Sequence, residues 1–249
     1  MPTRVLGVIP ARFASSRFPA KALATLAGKT MLQHVWERAS ATRYLSSVVI
    51  ATDHDSIYNE ARRFGAQVRM TRSDHASGTD RVAEIAASDS ASVVVNIQGD
   101  EPLIDPAAID GLVHAMLDRE EVRMGTLKKK IEHAPEIANP NVVKVVTDRD
   151  GDAIYFSRCP IPFQRESGDQ PTTYFKHIGL YAYNREFLLG YSDLPVGPLE
   201  RAEKLEQLRA LENGYRIHVV ETDYDSLGVD TPEDLERLRA VVEALCSRQ

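Results

Sequence analysis

The chain has 249 residues, with 30 Lys and Arg against 36 Asp and Glu, for a formal net charge of −6 at pH 7. Its 43% hydrophobic and 27% charged residues exclude wholesale disorder, and the net acidity excludes broad adhesion to nucleic acid or an anionic membrane, while leaving room for a local cluster of cations around a phosphate. Two cysteines, Cys159 and Cys246, exclude a disulfide framework and read as free thiols of a reducing compartment. The apolar run before Arg12 is too short for a signal-peptide core, and no later stretch reaches bilayer-spanning length, so a cytoplasmic location is expected.

The first hundred residues alternate short apolar runs with helical patterns. Val5 to Ile9 reads as a buried strand. Thr30 is placed to cap a helix with Met31, Leu32, Val35 and Ala39 on one face. Val48 to Ala51 is the next strand, Ser56 to Phe64 a helix ended by Gly65, Val68 to Met70 a strand, Thr79 to Ala87 a helix, and Val93 to Ile97 a fourth strand. This alternation predicts an α/β fold: a mostly parallel, Rossmann-like sheet with helices on both faces and ligands beyond the carboxyl ends of its strands. After Gly111 the rhythm loosens. Val142 to Val146 and Ala153 to Phe156 read as strands, Lys176 to Tyr183 alternates, Leu199 to Leu211 reads as one amphipathic helix, and Tyr215 to Val220 as a strand. Pro232 opens a last helix with the stripe Leu235, Leu238, Val242 and Leu245. The expected organisation is a single domain, 1–249, with an inserted smaller lobe at about 125–184.

The loop after the first strand, Pro10-Ala11-Arg12-Phe13-Ala14-Ser15-Ser16-Arg17-Phe18-Pro19-Ala20-Lys21, puts three cations where such a sheet binds ligands. It carries neither G-x-G-x-x-G nor G-x-x-x-x-G-K-[ST], so glycine-framed backbone amides alone cannot hold phosphates there. Arg12, Arg17 and Lys21 are the explicit charges available. A charge pair at about 4 Å with an effective dielectric near 20 is worth roughly 4 kcal/mol before desolvation. A helix N-terminus offers nearer 0.3–1 kcal/mol, by the same order-of-magnitude reckoning. On spacing alone, a solvated loop paired with surface acids is an equal alternative.

This loop, followed by Gly28-Lys29-Thr30-Met31, resembles the opening of the 3-deoxy-manno-octulosonate cytidylyltransferases. The resemblance runs in order through Ala51-Thr52-Asp53, Met70 to Arg81, Asn96-Ile97-Gln98-Gly99-Asp100-Glu101-Pro102, Asn139 to Val146, Tyr155 to Arg158, His177 to Tyr181, Pro198-Leu199-Glu200, Leu205 to Arg209 and Gly228 to Leu235. It covers nearly the whole chain. Ala20 departs from it, standing where the family usually has glycine. The resemblance implies a Mg²⁺-dependent nucleotidyltransferase. CMP would pass from CTP to the anomeric 2-hydroxyl of the sugar acid Kdo, releasing pyrophosphate, for lipopolysaccharide biosynthesis. It also implies that Arg12, Arg17 and Lys21 grip the triphosphate.

Between Arg72 and Arg81, Ser77-Gly78 precedes a helix. A pocket that accepts cytosine needs donors for its ring acceptors and an acceptor for its amino group. Arg72 and Ser77 are candidate donors, and a carbonyl near Pro10 or Ala11 a candidate acceptor. Leaving one such group unpaired costs about 1–3 kcal/mol, enough to separate bases. The local alternative is that Ser77 or Thr79 simply satisfies helix amides, with Asp80 on the helix dipole, and both roles are compatible.

Asp100 follows Gln98-Gly99 at a strand end, and Asp230 lies in Gly228-Val229-Asp230-Thr231-Pro232. Mg²⁺ takes one or two carboxylates and completes its shell with water and phosphate oxygens. Spacing alone makes Asp230 a helix cap; the resemblance assigns metal ligation to both acids. It also places Gln98, Arg17, Arg158, His177, Tyr181, Glu200 and Gln207 around the sugar acid. The alternatives are a cytidylyltransferase for a related acidic sugar (8-amino-Kdo or sialic acid), a glycosyltransferase with the same sheet, or a non-catalytic nucleotide-binding regulator. The expected partners are CTP and a 3-deoxy sugar acid, without nucleic acid or membrane, and the lobe is expected to serve a homodimer.

Overall fold

The computed structural model describes residues 3–14, 18–119, 121–165 and 172–246, with side chains of the last helix through Val242. Chain order runs β1 (Val5–Ala11), β2 (Thr25–Leu26), β3 (Lys29–Thr30), α1 (Met31–Ser40), β4 (Ser47–Thr52), α2 (Asp55–Arg63), β5 (Gln67–Met70), α3 (Gly78–Ala87), β6 (Val93–Asn96) and α4 (Pro106–Asp118). It continues with β7 (Met124–Lys130), α5 (Ala134–Ala138), β8 (Lys144–Thr147), β9 (Ala153–Ser157), β10 (Phe175–Asn184), α6 (Arg185–Leu189), α7 (Pro198–Glu203), α8 (Leu208–Glu212), β11 (Ile217–Glu221) and α9 (Pro232–Cys246).

The chain divides into two compact units, one of residues 1–110 and 226–249, the other of residues 111–225. In the first, β6, β1, β4 and β5 lie side by side, all parallel. β1 is central and buried along nearly its whole length, with Leu6, Val8 and Ile9 fully covered. Its neighbours set the crevice: the chain leaves β1 toward β4 and β5, then returns to place β6 on β1's other side. That reversal makes the carboxyl ends of β1 and β6 a topological switch point, where open α/β sheets bind ligands. Helices α1 and α3 pack on β1 and β4, and α2 on β4 and β5.

Local sequence explains these helices. The Thr30 side chain accepts the Gln33 amide and starts α1, which buries Met31, Leu32, Val35 and Ala39 completely. Each of the three larger side chains contributes roughly 1.5–3 kcal/mol by burial. Gly65, at φ 85°, turns the chain after α2 in the left-handed region where glycine carries no penalty. In α9 the stripe Leu235, Leu238 and Val242 packs with Val229, Leu26 and Met31; Leu245 lies outside the described side chains.

The second unit is longer than the lobe expected at 125–184 because β7 gathers strands from both ends of the segment. It pairs antiparallel with β10 and parallel with β11, which comes from residues beyond the expected lobe. β10 also pairs with β8, and β8 with β9 across the turn at Asp148–Gly151. The β7–β10 register slips between Ile178 and Tyr181, an irregularity that re-aims side chains. The continuous helix expected from Leu199 to Leu211 is instead two short helices, α7 and α8. Lys204 adopts φ 54° and breaks the helical hydrogen bonding between them. Neither α4 nor β7 is among the expected elements: α4 does carry a helical period, with Ile109, Leu112, Val113 and Met116 all buried, whereas β7 has no alternating pattern.

Candidate active site

In the first unit a cavity of about 510 Å³ opens at the switch point, lined by the segments after β1 and β6 and by Lys21, Gly78 and Asp230. Of the expected nucleotide residues, Pro10, Ala11, Arg12, Lys21 and Gln98 line it, as do both expected metal ligands, Asp100 and Asp230, while Arg72 and Ser77 are not in its lining. Gly99 matters by its size: a Cβ there would sit 3.0 Å from the Pro10 carbonyl oxygen. The local sequence does not announce this spacing role of Gly99, which depends on a strand 89 positions earlier. Arg12 is exposed at the cavity wall. Arg17 lies outside the described residues.

Two ties close the loop. The Ala20 amide donates to the Phe13 carbonyl at 3.0 Å, and the Phe13 ring stacks on His54 with centroids 3.8 Å apart. Ala20 itself is left-handed, at φ 56°. The next residue is Lys21, whose ammonium donates to Asp100 Oδ2 at 2.7 Å and to Asp230 Oδ1 at 3.2 Å. The lysine side chain is 16% exposed, Asp100 32% and Asp230 49%, so the cation sits beneath two wetter acids.

The fold brings these acids together over 130 sequence positions by a backbone bond. The Val229 amide donates to the Asp100 carbonyl at 2.9 Å, and Val229 is buried in the α9 cluster. Asp230 is not the cap that its spacing suggests. Thr231 and Asp234 make the cap: Asp234 Oδ2 accepts from the Asp230 and Thr231 amides and the Thr231 hydroxyl, and the Asp234 amide donates to Thr231 Oγ1. The Asp230 carboxylate is thereby turned to Lys21.

Two carboxylates already converging on one positive charge fit a divalent cation that draws its other ligands from water and phosphate oxygens. Among the described residues, no group of three or more His, Cys, Asp or Glu is placed to hold a metal, so a tight all-protein cage is absent there.

Ser77 caps α3: its hydroxyl accepts the Asp80 amide while Asp80 accepts the Ser77 amide. Arg72 is exposed and paired with Asp74 at 3.2 Å. Under this segment lies Arg81, fully buried, with Nη2 donating to Asp53 at 2.7 Å and Nη1 to Thr71. This pair ties α3 to the end of β4. The sequence does not announce this pair, because burial of an arginine has no local signature.

The second unit holds the remaining candidates. His177 and Tyr181 are neighbours, with ring centroids 5.4 Å apart. Thr126 Oγ1 donates to the Ile178 and Leu180 carbonyls, so at 2.9 Å it is His177 Nε2–H that donates to Thr126. Burial drives the His177 pKa down to about 3 and keeps the imidazole neutral; burial likewise raises the Tyr181 phenol, with Tyr191 and Glu206 adding to it. Gln207 is 4% exposed, and its Nε2 has no hydrogen-bond partner. The other two candidates are already engaged. Glu200 is held by Arg209 through two hydrogen bonds of 2.9 and 2.7 Å, which raise the Arg209 pKa. Arg158 donates from Nε to the Glu203 carbonyl at 2.7 Å and from Nη1 to the Pro140 carbonyl at 2.9 Å. Its own carbonyl accepts from the fully buried Lys144 at 2.7 Å.

A parallel sheet with a cationic loop and paired acids at its switch point belongs to the nucleotidyltransferase class. The cytidylyltransferase family model matches residues 6–217. A 3-deoxy-manno-octulosonate cytidylyltransferase from Solibacter usitatus (strain Ellin6076) is 67% identical over 245 residues, covering 98% of this chain and 96% of its own. One from Geobacter sulfurreducens is 53% identical over 243 residues, covering 94% and 97%. The solved structure of a CMP:2-keto-3-deoxy-manno-octonic acid synthetase complexed with CTP superposes with a TM-score of 0.93 at 42% identity, covering 97% of this chain and 99% of that one. The chain belongs to the 3-deoxy-manno-octulosonate cytidylyltransferase family.

Proposed function

We propose that the chain transfers CMP from CTP to the anomeric 2-hydroxyl of Kdo, giving CMP-Kdo and pyrophosphate for lipopolysaccharide biosynthesis. The observation that carries this reading is the convergence of Lys21, Asp100 and Asp230 at the switch-point cavity, in a chain similar along its length to enzymes of that name. The sugar 2-hydroxyl attacks the α-phosphorus in line and gives up its proton to solvent, the bond from that phosphorus to the bridging oxygen breaks, and the pyrophosphate carries the electron pair away. Arg12 and Lys21 bind the triphosphate oxygens, and guanidinium forks suit them. Positioning and fixed charge carry most of the rate. Asp100 and Asp230 would hold Mg²⁺, which supplies charge neutralisation at the phosphates and acidifies a nearby hydroxyl. His177, Tyr181 and Gln207 are the polar groups offered to the sugar acid; Gln207 arrives with a free amide donor.

No helix among the described residues is long and apolar enough to cross a membrane. A cytoplasmic homodimer completes the reading. Pyrophosphate release from each of the four nucleoside triphosphates, against Kdo, 8-amino-Kdo and a sialic acid, tests it. Release with CTP and Kdo is expected. Release with another acidic sugar alone transfers the assignment to that sugar, and release with none removes it.

A further inference from the structure

We infer that Lys21 is a resident counter-ion for the two acids in the nucleotide-free protein, so that a divalent cation binds well only after a triphosphate draws the lysine away. This deepens the proposed nucleotidyl transfer and rests on it. The lysine ammonium stands between the acids, 2.7 Å from Asp100 and 3.2 Å from Asp230. A divalent ion ligated by the same two carboxylates must share that space and that charge. The ammonium and the ion repel at such distances, so occupancy by one opposes the other.

The lysine is free to serve either partner. Its backbone sits in a one-turn 3-10 segment, Lys21–Leu23, behind the left-handed Ala20. Its side chain lines the same cavity as Arg12, where the triphosphate is placed. A four-carbon stem with three rotatable donors re-aims more readily than a guanidinium fork. The backbones of all three are held, Asp100 by the Val229 amide, Asp230 by the Thr231–Asp234 cap and Lys21 by its own amide on the Phe18 carbonyl. Of the three side chains the lysine's is the longest, and it has the reach to turn from the acids to a phosphate.

Nucleotide and metal then bind with positive coupling, because each removes what blocks the other. The device also offsets half the charge of two neighbouring carboxylates in the absence of substrate, and disfavours a metal-loaded, nucleotide-free state.

Mn²⁺ is the probe, measured by electron paramagnetic resonance on the full-length protein without nucleotide. The wild type is expected to bind it weakly. Lys21→Gln is expected to bind it roughly 5- to 150-fold more tightly, the usual span of coupling between sites. Lys21→Arg, which keeps the charge, is expected to stay weak, and adding Asp230→Asn to Lys21→Gln is expected to abolish the gain. Equal nucleotide-free affinity in the wild type and Lys21→Gln overturns the inference. Crystals of the wild type decide the matter should the variants not fold. Soaked in Mn²⁺ alone, they are expected to show no anomalous peak between the acids, and a peak there beside an unmoved Lys21 overturns the inference. Pyrophosphate release by the wild type from CTP and Kdo reports separately on the functional reading. Its absence removes that reading and the counter-ion role with it; its presence with equal Mn²⁺ affinities removes the counter-ion role alone.

Discussion

Replacing Gln207 by methionine separates what the residue does for the fold from what it does for the substrate. The side chain is 4% exposed and its Nε2 is a buried donor without a partner. Such a group costs the folded state about 1–3 kcal/mol. Methionine keeps the chain length and removes both polar atoms, and volume-conserving exchanges of this kind cost less than about 1.5 kcal/mol. The expected net effect runs from neutral to about 2 kcal/mol of stabilisation. It is read as a rise in the urea midpoint at unchanged slope. The same substitution removes a donor that the sugar acid would meet. A neutral hydrogen bond is worth about 0.5–1.5 kcal/mol net, so the KM for Kdo should rise roughly two- to tenfold while the KM for CTP stays put. A loss of stability beyond about 1.5 kcal/mol would show that the amide is satisfied inside the protein. An unchanged KM for Kdo would show that it never meets the sugar.

Three further outcomes follow from the geometry. Ala20→Gly relieves a left-handed alanine at φ 56°; set against the greater freedom of an unfolded glycine, it should raise stability by about 0.5–1 kcal/mol in urea denaturation. Asp53→Ala strands the fully buried Arg81 and should cost about 3–5 kcal/mol, measured the same way. The His177 imidazole has its pKa lowered by burial from 6.5 to about 3. The unfolded chain therefore takes up a proton below about pH 6.5 that the folded chain refuses, and stability falls as pH drops through that window, by up to about 2 kcal/mol at pH 5. His177→Gln should flatten that part of the pH dependence; an identical pH profile in both proteins refutes the buried neutral imidazole.

The first unit was legible because its signals are local. Thr30 and the stripe after it, Ser77 with Asp80, and the runs at Val5 and Val93 each lie within one element, and the structure puts each element where its period places it. The second unit was less so. The apolar spacing from Leu199 to Leu211 suits one helix, and nothing in a lysine announces the left-handed turn at Lys204 that splits it. β7 ends in Lys128, Lys129 and Lys130, which read as surface; its strand character comes from pairing with β10 on one side and β11 on the other. Non-local pairing leaves no periodic trace when a strand runs from small and apolar residues into a row of half-buried to exposed lysines.

The site shows the same division more sharply. Asp230 precedes a proline-started helix, and a purely local reading makes it the cap. The neighbouring Thr231 and Asp234 satisfy those amides instead, and only because they do is the Asp230 carboxylate available to face Lys21. The capping pair is visible in the sequence; the displacement of Asp230 from that role is not, because it depends on a lysine 209 positions away. The amide of Val229 on the Asp100 carbonyl brings the second acid into reach, and that bond in turn depends on Val229 being buried among Leu26, Met31 and the stripe of α9. Packing of the last helix thus sets the geometry of charges at the mouth of the first strand. Sequence names the acids through resemblance, and the hydrophobic cluster beneath them supplies the physical reason that they meet.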